Sequence, residues 1–188
     1  MENVTELATG KQISRSQIGN NVMCFSNAPL SASEAFSSPV SPPPFMVGMA
    51  EVEIDKETGV LELIDYVAVV DCGTVINPNL ARVQVEGGIA QGIGMALYED
   101  VVYNEKGKNF SNSLMQYKIP TRLDVGTIRV EFESSYEPTG PFGAKSIGEI
   151  VINTPSPAIS NAIQNATGVI IRELPMTAEK IYRGISGR

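Results

Sequence analysis

The sequence predicts an α+β fold, a mixed or antiparallel sheet packed by a glycine-rich helix and a C-terminal helix. Three observations predict it. Short apolar segments within 46–55, 60–71 and 127–133 alternate or run as strands do. Two longer stretches, 79–100 and 156–168, place their apolar residues at helical spacing instead. These segments also follow one another without the regular strand–helix–strand rhythm of a doubly wound sheet.

The elements read as follows. Residues 1–41 are polar, rich in Ser and Asn, and show no sustained periodicity; they are expected to be an arm or linker with little structure of its own. "SSPVSPPP" closes this leader as a stiff, extended spacer, because proline rings fix φ and remove backbone donors. The folded domain is expected over 42–188. "MVGMAEVEID" alternates, with Gly48, Ala50, Val52 and Ile54 on one face and Glu51 and Glu53 on the other, which predicts a half-buried strand. "KETG" turns the chain, and "VLELIDYVAVVD" returns as an antiparallel strand. Its tail, Val67 to Val70, is apolar on both faces and belongs in the middle of a sheet.

The helix predicted from "NLARVQVEGGIAQGIGMALYED" carries Ile89, Ile93, Ala96 and Leu97 on one stripe. Gly87, Gly88, Gly92 and Gly94 interrupt it, each at a cost of about 0.8–1 kcal/mol relative to alanine, so tertiary contact must offset the loss. Gln84, Gly88 and Gln91 share a second face. Two readings of that face stand: helix packing made tight by glycine, or a ligand lying against bare backbone with the amides as hydrogen-bonding groups. Beyond it, "VVYNEKGKNF" reads as strand and turn, and "TIRVEFE" as a strand with Ile128, Val130 and Phe132 inward. Ser156 is the expected N-cap of a helix whose buried stripe is Ala158, Ile159, Ala162, Ile163 and Ala166, stopped by Gly168. "VIIREL" reads as a short strand, and Thr177 begins a final helix.

Composition excludes several functions. The chain has no histidine, which removes the commonest general base and the commonest metal ligand, and with them a self-contained zinc hydrolase or Ser-His-Asp triad. Two cysteines, Cys24 and Cys72, are too few for a disulfide framework, and no side chain is expected to ligate a metal. A net charge of -7 argues against nucleic acid or an anionic membrane as partner. No apolar run approaches the roughly 18–20 residues that cross a bilayer, and the N-terminus lacks a signal pattern, so a cytoplasmic location is expected. Acid–base chemistry must rest on carboxylates, lysines or tyrosines. "GPFGAKSIGEI", residues 140–150, is where glycines at 140, 143 and 148 lead up to one carboxylate, Glu149.

Five blocks carry a resemblance: "PPPFMVGMAEVEIDKETGVLEL", "VVDCGTVINPNLARVQVEGGIAQGIGMALYED", "YKIPTRLD", "GPFGAKSIGE" and "PAISNAIQNATGVIIRELPMTAEKI". In order and spacing they resemble the C-terminal part of the molybdenum (molybdopterin)-binding subunit of the xanthine dehydrogenase / aldehyde oxidase family. The resemblance implies a molybdenum cofactor-binding domain, within a hydroxylase that adds water-derived oxygen to a heteroaromatic or aldehyde carbon. It implies that Glu149 is the base, deprotonating the hydroxide held by the metal. A dry, closed pocket would raise that carboxylate's pKa. It implies cofactor-binding roles for Gln84, for Gly88 on the same helix face, and for Lys145, which either orients the loop or packs its stem. The cofactor would be molybdopterin, with or without a nucleotide extension, shared with a partner chain. The remaining molybdenum-subunit chain, an Fe-S subunit and an FAD subunit would be the partners, alongside homo-oligomers as a further arrangement. Ser146 departs from the family's usual glycine, and Ile150-Val151 from its usual proline or glycine after the glutamate. The competing expectation is an accessory domain that self-associates and binds no cofactor.

Overall fold

The computed structural model describes residues 3–25, 31–35 and 37–187. The chain divides into two compact units, Met1–Ser37 and Ser38–Arg188.

In the first unit, β1 (Asn3–Thr5) and β2 (Gln12–Ser14) pair antiparallel and lead into helix α1 (Arg15–Phe25). The leader therefore carries structure, where little was expected. The local cause is a reciprocal cap: the Gln17 amide donates to Ser14 Oγ at 3.1 Å, while the Ser14 amide donates to Gln17 Oε1 at 3.0 Å. That S-x-x-Q spacing was visible in the sequence. Helix α1 buries no residue, and none of this unit's described residues is buried.

The second unit holds the three-stranded sheet, in the order β3 (Phe45–Ile54), β4 (Leu61–Asp71), β5 (Thr127–Phe132). β3 runs antiparallel to β4, and β5 runs parallel to it, so the sheet is mixed and the predicted central strand is central. An irregularity at Glu51/Val52 shifts the register, pairing Glu51 with Asp65 and Val52 with Leu63. It also shifts the inward phase of β4, whose buried residues are Leu63 and then Tyr66, Ala68 and Val70.

Helix α2 (Pro78–Leu97) is opened by Asn77, whose side chain accepts from the Leu80 amide. Val85, Ile89, Ile93 and Ala96 pack with the inner face of the sheet, and Val151, Ile159, Ile163, Met176 and Ile181 complete one core. Those last residues come from α3 (Ile150–Asn153), α4 (Pro155–Thr167), α5 (Ala178–Ser186) and the segment between the last two. Thr177 caps α5 as expected, accepting from the Lys180 amide, and Gly168 ends α4 in the left-handed region.

Three expectations are corrected. Ser156 is not the N-cap: Thr154 takes that position and α4 starts two residues earlier than expected, because Pro155 takes the first helical position, where its missing N–H costs nothing. The preceding Thr154 hydroxyl is engaged by Tyr66 Oη at 2.9 Å rather than capping. The segment 101–110 forms only an isolated bridge, Tyr103 to Asn109, around its turn. Residues 169–174 form no strand; Val169 instead packs against Gly184 of α5, a contact so close that a Cβ there would lie 2.3 Å from it. Among the described residues, no helix is long and apolar enough to cross a membrane.

Candidate functional site

The loop that carries Glu149 is strapped to the end of β4. The Thr74 amide donates to the Gly143 carbonyl at 2.8 Å, and the Lys145 amide to the Cys72 carbonyl at 2.7 Å. Gly73 allows this approach: its φ is +69°, and a Cβ there would stand 2.3 Å from the Gly143 oxygen. Lys145 turns its ammonium onto Asp71 Oδ2 at 2.6 Å, with its side chain only 7% exposed, and 5.2 Å above the Phe45 ring. Asp71 also accepts from Ser135 Oγ at 2.5 Å and from the Gly73 amide at 3.0 Å. Lys145 first, then Ser135 and Gly73, hold the Asp71 carboxyl down to about 2.

Past Lys145 the chain crosses to α2, where Gln84 Nε2 donates to the Gly148 carbonyl at 3.3 Å. Glu149 follows at the head of α3. A cleft of about 610 Å³ opens between α2 and this turn, lined by Val83, Gln84, Gly87, Gly88, Gln91, Gly148, Glu149, Ile152 and Asn153. A second cleft of about 410 Å³, lined by Cys72, Thr74–Asn77, Leu80, Ala81, Ala144, Lys145 and Ile147, shares Gln84 and Gly148 with the first.

Three of the four site residues named from the sequence, Gln84, Gly88 and Glu149, thus line one cleft. Lys145 lines the neighbouring one, its charge committed to Asp71. Glu149 is exposed, and its carboxylate accepts no hydrogen bond among the described residues. The dry pocket expected around it is not closed by this chain. Gly88 serves packing: a Cβ there would lie 2.1 Å from Val151 Cγ2. Among the glycines that line the cleft, Gly87 and Gly148 are the ones with open space where a side chain would be. On α2 the helical-face pattern, which points to Gly88, misses Gly87 by one residue.

Asn153 was also missed, because only the fold brings the end of α3 to α2. Asp71 reads as a strand-end charge and Ser135 stands in no motif of the sequence; only the fold brings them to the loop. Gln91 lines the cleft, whereas Tyr117 donates to Glu99 outside it. Cys72 is buried, which pushes its thiol pKa up, and Cys24 is exposed. Among the described residues no three His, Cys, Asp or Glu side chains are grouped to hold a metal.

The arrangement suits a flat heterocycle edged with hydrogen-bonding groups. Gly87 and Gly148 leave a cradle that side chains would fill, and Gln84, Gln91 and Asn153 offer amides at its walls. A molybdopterin has that shape and those edges, so the residues present fit the group.

Comparison with known proteins points the same way. The family model for the molybdopterin cofactor-binding domain matches residues 2–126, which hold Gln84 and Gly88 and stop short of Lys145 and Glu149. The chain is 35% identical over 154 residues to a putative xanthine dehydrogenase molybdenum-binding subunit, XdhA, of Escherichia coli (strain K12), covering 81% of this chain and 20% of that one. Among solved structures, quinoline 2-oxidoreductase from Pseudomonas putida 86 matches with a TM-score of 0.70 and 40% identity, over 74% of this chain and 18% of that one. A Cu,Mo-CO dehydrogenase matches with a TM-score of 0.80 over 99% of this chain and 24% of its own; at 22% identity that likeness shows the fold. The chain spans less than a quarter of the length of each of these relatives.

Proposed function

The chain belongs to the molybdopterin cofactor-binding domain family, and on that premise we propose that it forms one wall of the cofactor site of a molybdenum hydroxylase and supplies its base, Glu149. The observation that carries this reading is the cleft in which Gln84, Gly87 and Gly148 meet Glu149 on one surface. When bound, the cofactor supplies a metal that activates water-derived oxygen and accepts the electron pair of the broken C–H bond. Gln84 and Gln91 would hold the cofactor's polar edge, Gly87 would let it approach the α2 backbone, Gly88 would keep that stretch of α2 packed on Val151, and Lys145 would keep the loop in place. Glu149 would take up the proton on a carboxylate oxygen, and Val83 and Ile152 would shield that proton from bulk water. The oxidised substrate is a heteroaromatic or an aldehyde carbon.

The other walls of the site come from molybdenum-subunit sequence beyond these 188 residues, and the iron–sulfur and flavin groups from partner subunits. Their arrival would cover Glu149, which this chain leaves exposed, and exclude bulk water from it. In the assembled enzyme, Glu149→Gln is expected to lower kcat by roughly 10²–10⁴-fold with molybdenum content unchanged. Full turnover by that variant would refute the assignment. Purification of the chain without molybdenum, as a monomer or homodimer, would favour the accessory-domain alternative.

A further inference from the structure

Glu149 has no side-chain partner among the described residues, so its aim depends on the backbone that delivers it. That backbone is pinned twice within four residues. Gln84 holds the Gly148 carbonyl, and Asp71 holds Lys145. The second pin is the stronger by its chemistry. It is a charge-assisted bond of 2.6 Å, with the lysine side chain 7% and the aspartate 23% exposed, reinforced by the Lys145 amide on the Cys72 carbonyl. Asp71 spends its second oxygen on Ser135 and on the Gly73 amide, so its own carboxylate cannot swing away with the lysine. It thereby joins the end of β4, the segment after β5 and the loop at one point.

The other ion pairs lack this character. Arg129 with Asp65, Lys180 with Glu173 and Arg183 with Glu179 each have at least one side chain more than half exposed, and none reaches the loop. We propose that Asp71 is a positioning residue: by locking Lys145 to the end of the central strand it fixes the 144–148 backbone and so aims Glu149 into the cleft. This rests on Glu149 being the base.

The test uses the assembled molybdenum enzyme with Asp71→Asn, which keeps the shape and removes the charge, and Ser135→Ala, which removes one support of Asp71. Four quantities are read: kcat, KM, molybdenum content, and amide hydrogen exchange over 144–149. Asp71→Asn is expected to lower kcat by roughly 10–100-fold, the scale of a 1 Å misplacement. KM and molybdenum content should stay within about twofold, and exchange at the Lys145 amide should quicken. Ser135→Ala should move exchange and kcat the same way by less. Unchanged kcat in Asp71→Asn, or a loss that tracks molybdenum content while the loop amides stay protected, would overturn the proposal. Should Glu149→Gln retain turnover, the base assignment falls instead. Exchange then decides alone: unaltered protection over 144–148 in Asp71→Asn overturns the pin, and faster exchange sustains it.

Discussion

Substituting the glycines of α2 one at a time separates the two jobs that helix performs. Replacing glycine by alanine inside a helix gains about 0.8–1 kcal/mol when the new methyl meets nothing. At Gly87 no atom lies within 4 Å of where the Cβ would stand, so Gly87→Ala should gain nearly all of that. In a chain of this length the gain corresponds to a rise of roughly 2–4 °C in Tm. At Gly88 the methyl would sit 2.1 Å from Val151 Cγ2 and 2.9 Å from its Cβ. Val151 is fully buried and β-branched, so it has little room to turn away. Overpacking of that kind costs about 1–3 kcal/mol, which outweighs the propensity gain and leaves Gly88→Ala destabilised by up to about 2 kcal/mol. Gly92→Ala should be at least as harmful, because Pro155 Cγ at 2.5 Å and the Ile152 carbonyl at 3.0 Å belong to a ring and a backbone.

Urea unfolding followed by circular dichroism reads all three variants. Adding Val151→Ala to Gly88→Ala should recover about 1 kcal/mol as coupling between touching residues. Gly87→Ala carries the functional half: its methyl enters the cleft, so the more stable protein should load less molybdenum in the assembled enzyme. A Gly87→Ala variant as destabilised as Gly88→Ala, or a neutral Gly88→Ala, would refute this account of the helix.

Two further predictions concern the ion pairs and the core. Asp71 titrates at about 2 in the fold, below its unfolded value, so its stabilising contribution is complete above about pH 4 and is lost as pH falls toward 2. Solvent at its open side limits that contribution to about 1–2 kcal/mol, and the gap in urea midpoint between the native chain and Asp71→Asn should close over the same interval. Ile163→Ala, at a side chain with no exposure, should cost about 2–5 kcal/mol, whereas Arg129→Ala, on a side chain 61% exposed, should leave the unfolding midpoint where it was.

Local pattern was enough for most elements of the second unit. The alternation around Gly48 to Ile54, the stripe of Ile89 and Ile93, and the Thr177 cap each encode a preference that neighbours in the chain already satisfy. The five motif blocks likewise carried the family. Reading failed where a segment's partner is remote. "VIIREL" has strand residues and no strand beside it, because Val169 finds Gly184 first. Ser156 has cap chemistry, but the cap position is decided by where Pro155 and Tyr66 meet Thr154. Gly87 rather than Gly88 faces open space because Val151 of α3 packs onto Gly88, a contact no spacing rule contains. By itself, the sequence determined the α+β class, the central strand and the identity of the lone carboxylate after the glycine loop. Tertiary structure alone decided what holds that carboxylate in place: Asp71 and Lys145 lie 74 positions apart, and only the folded sheet brings their charges within 2.6 Å.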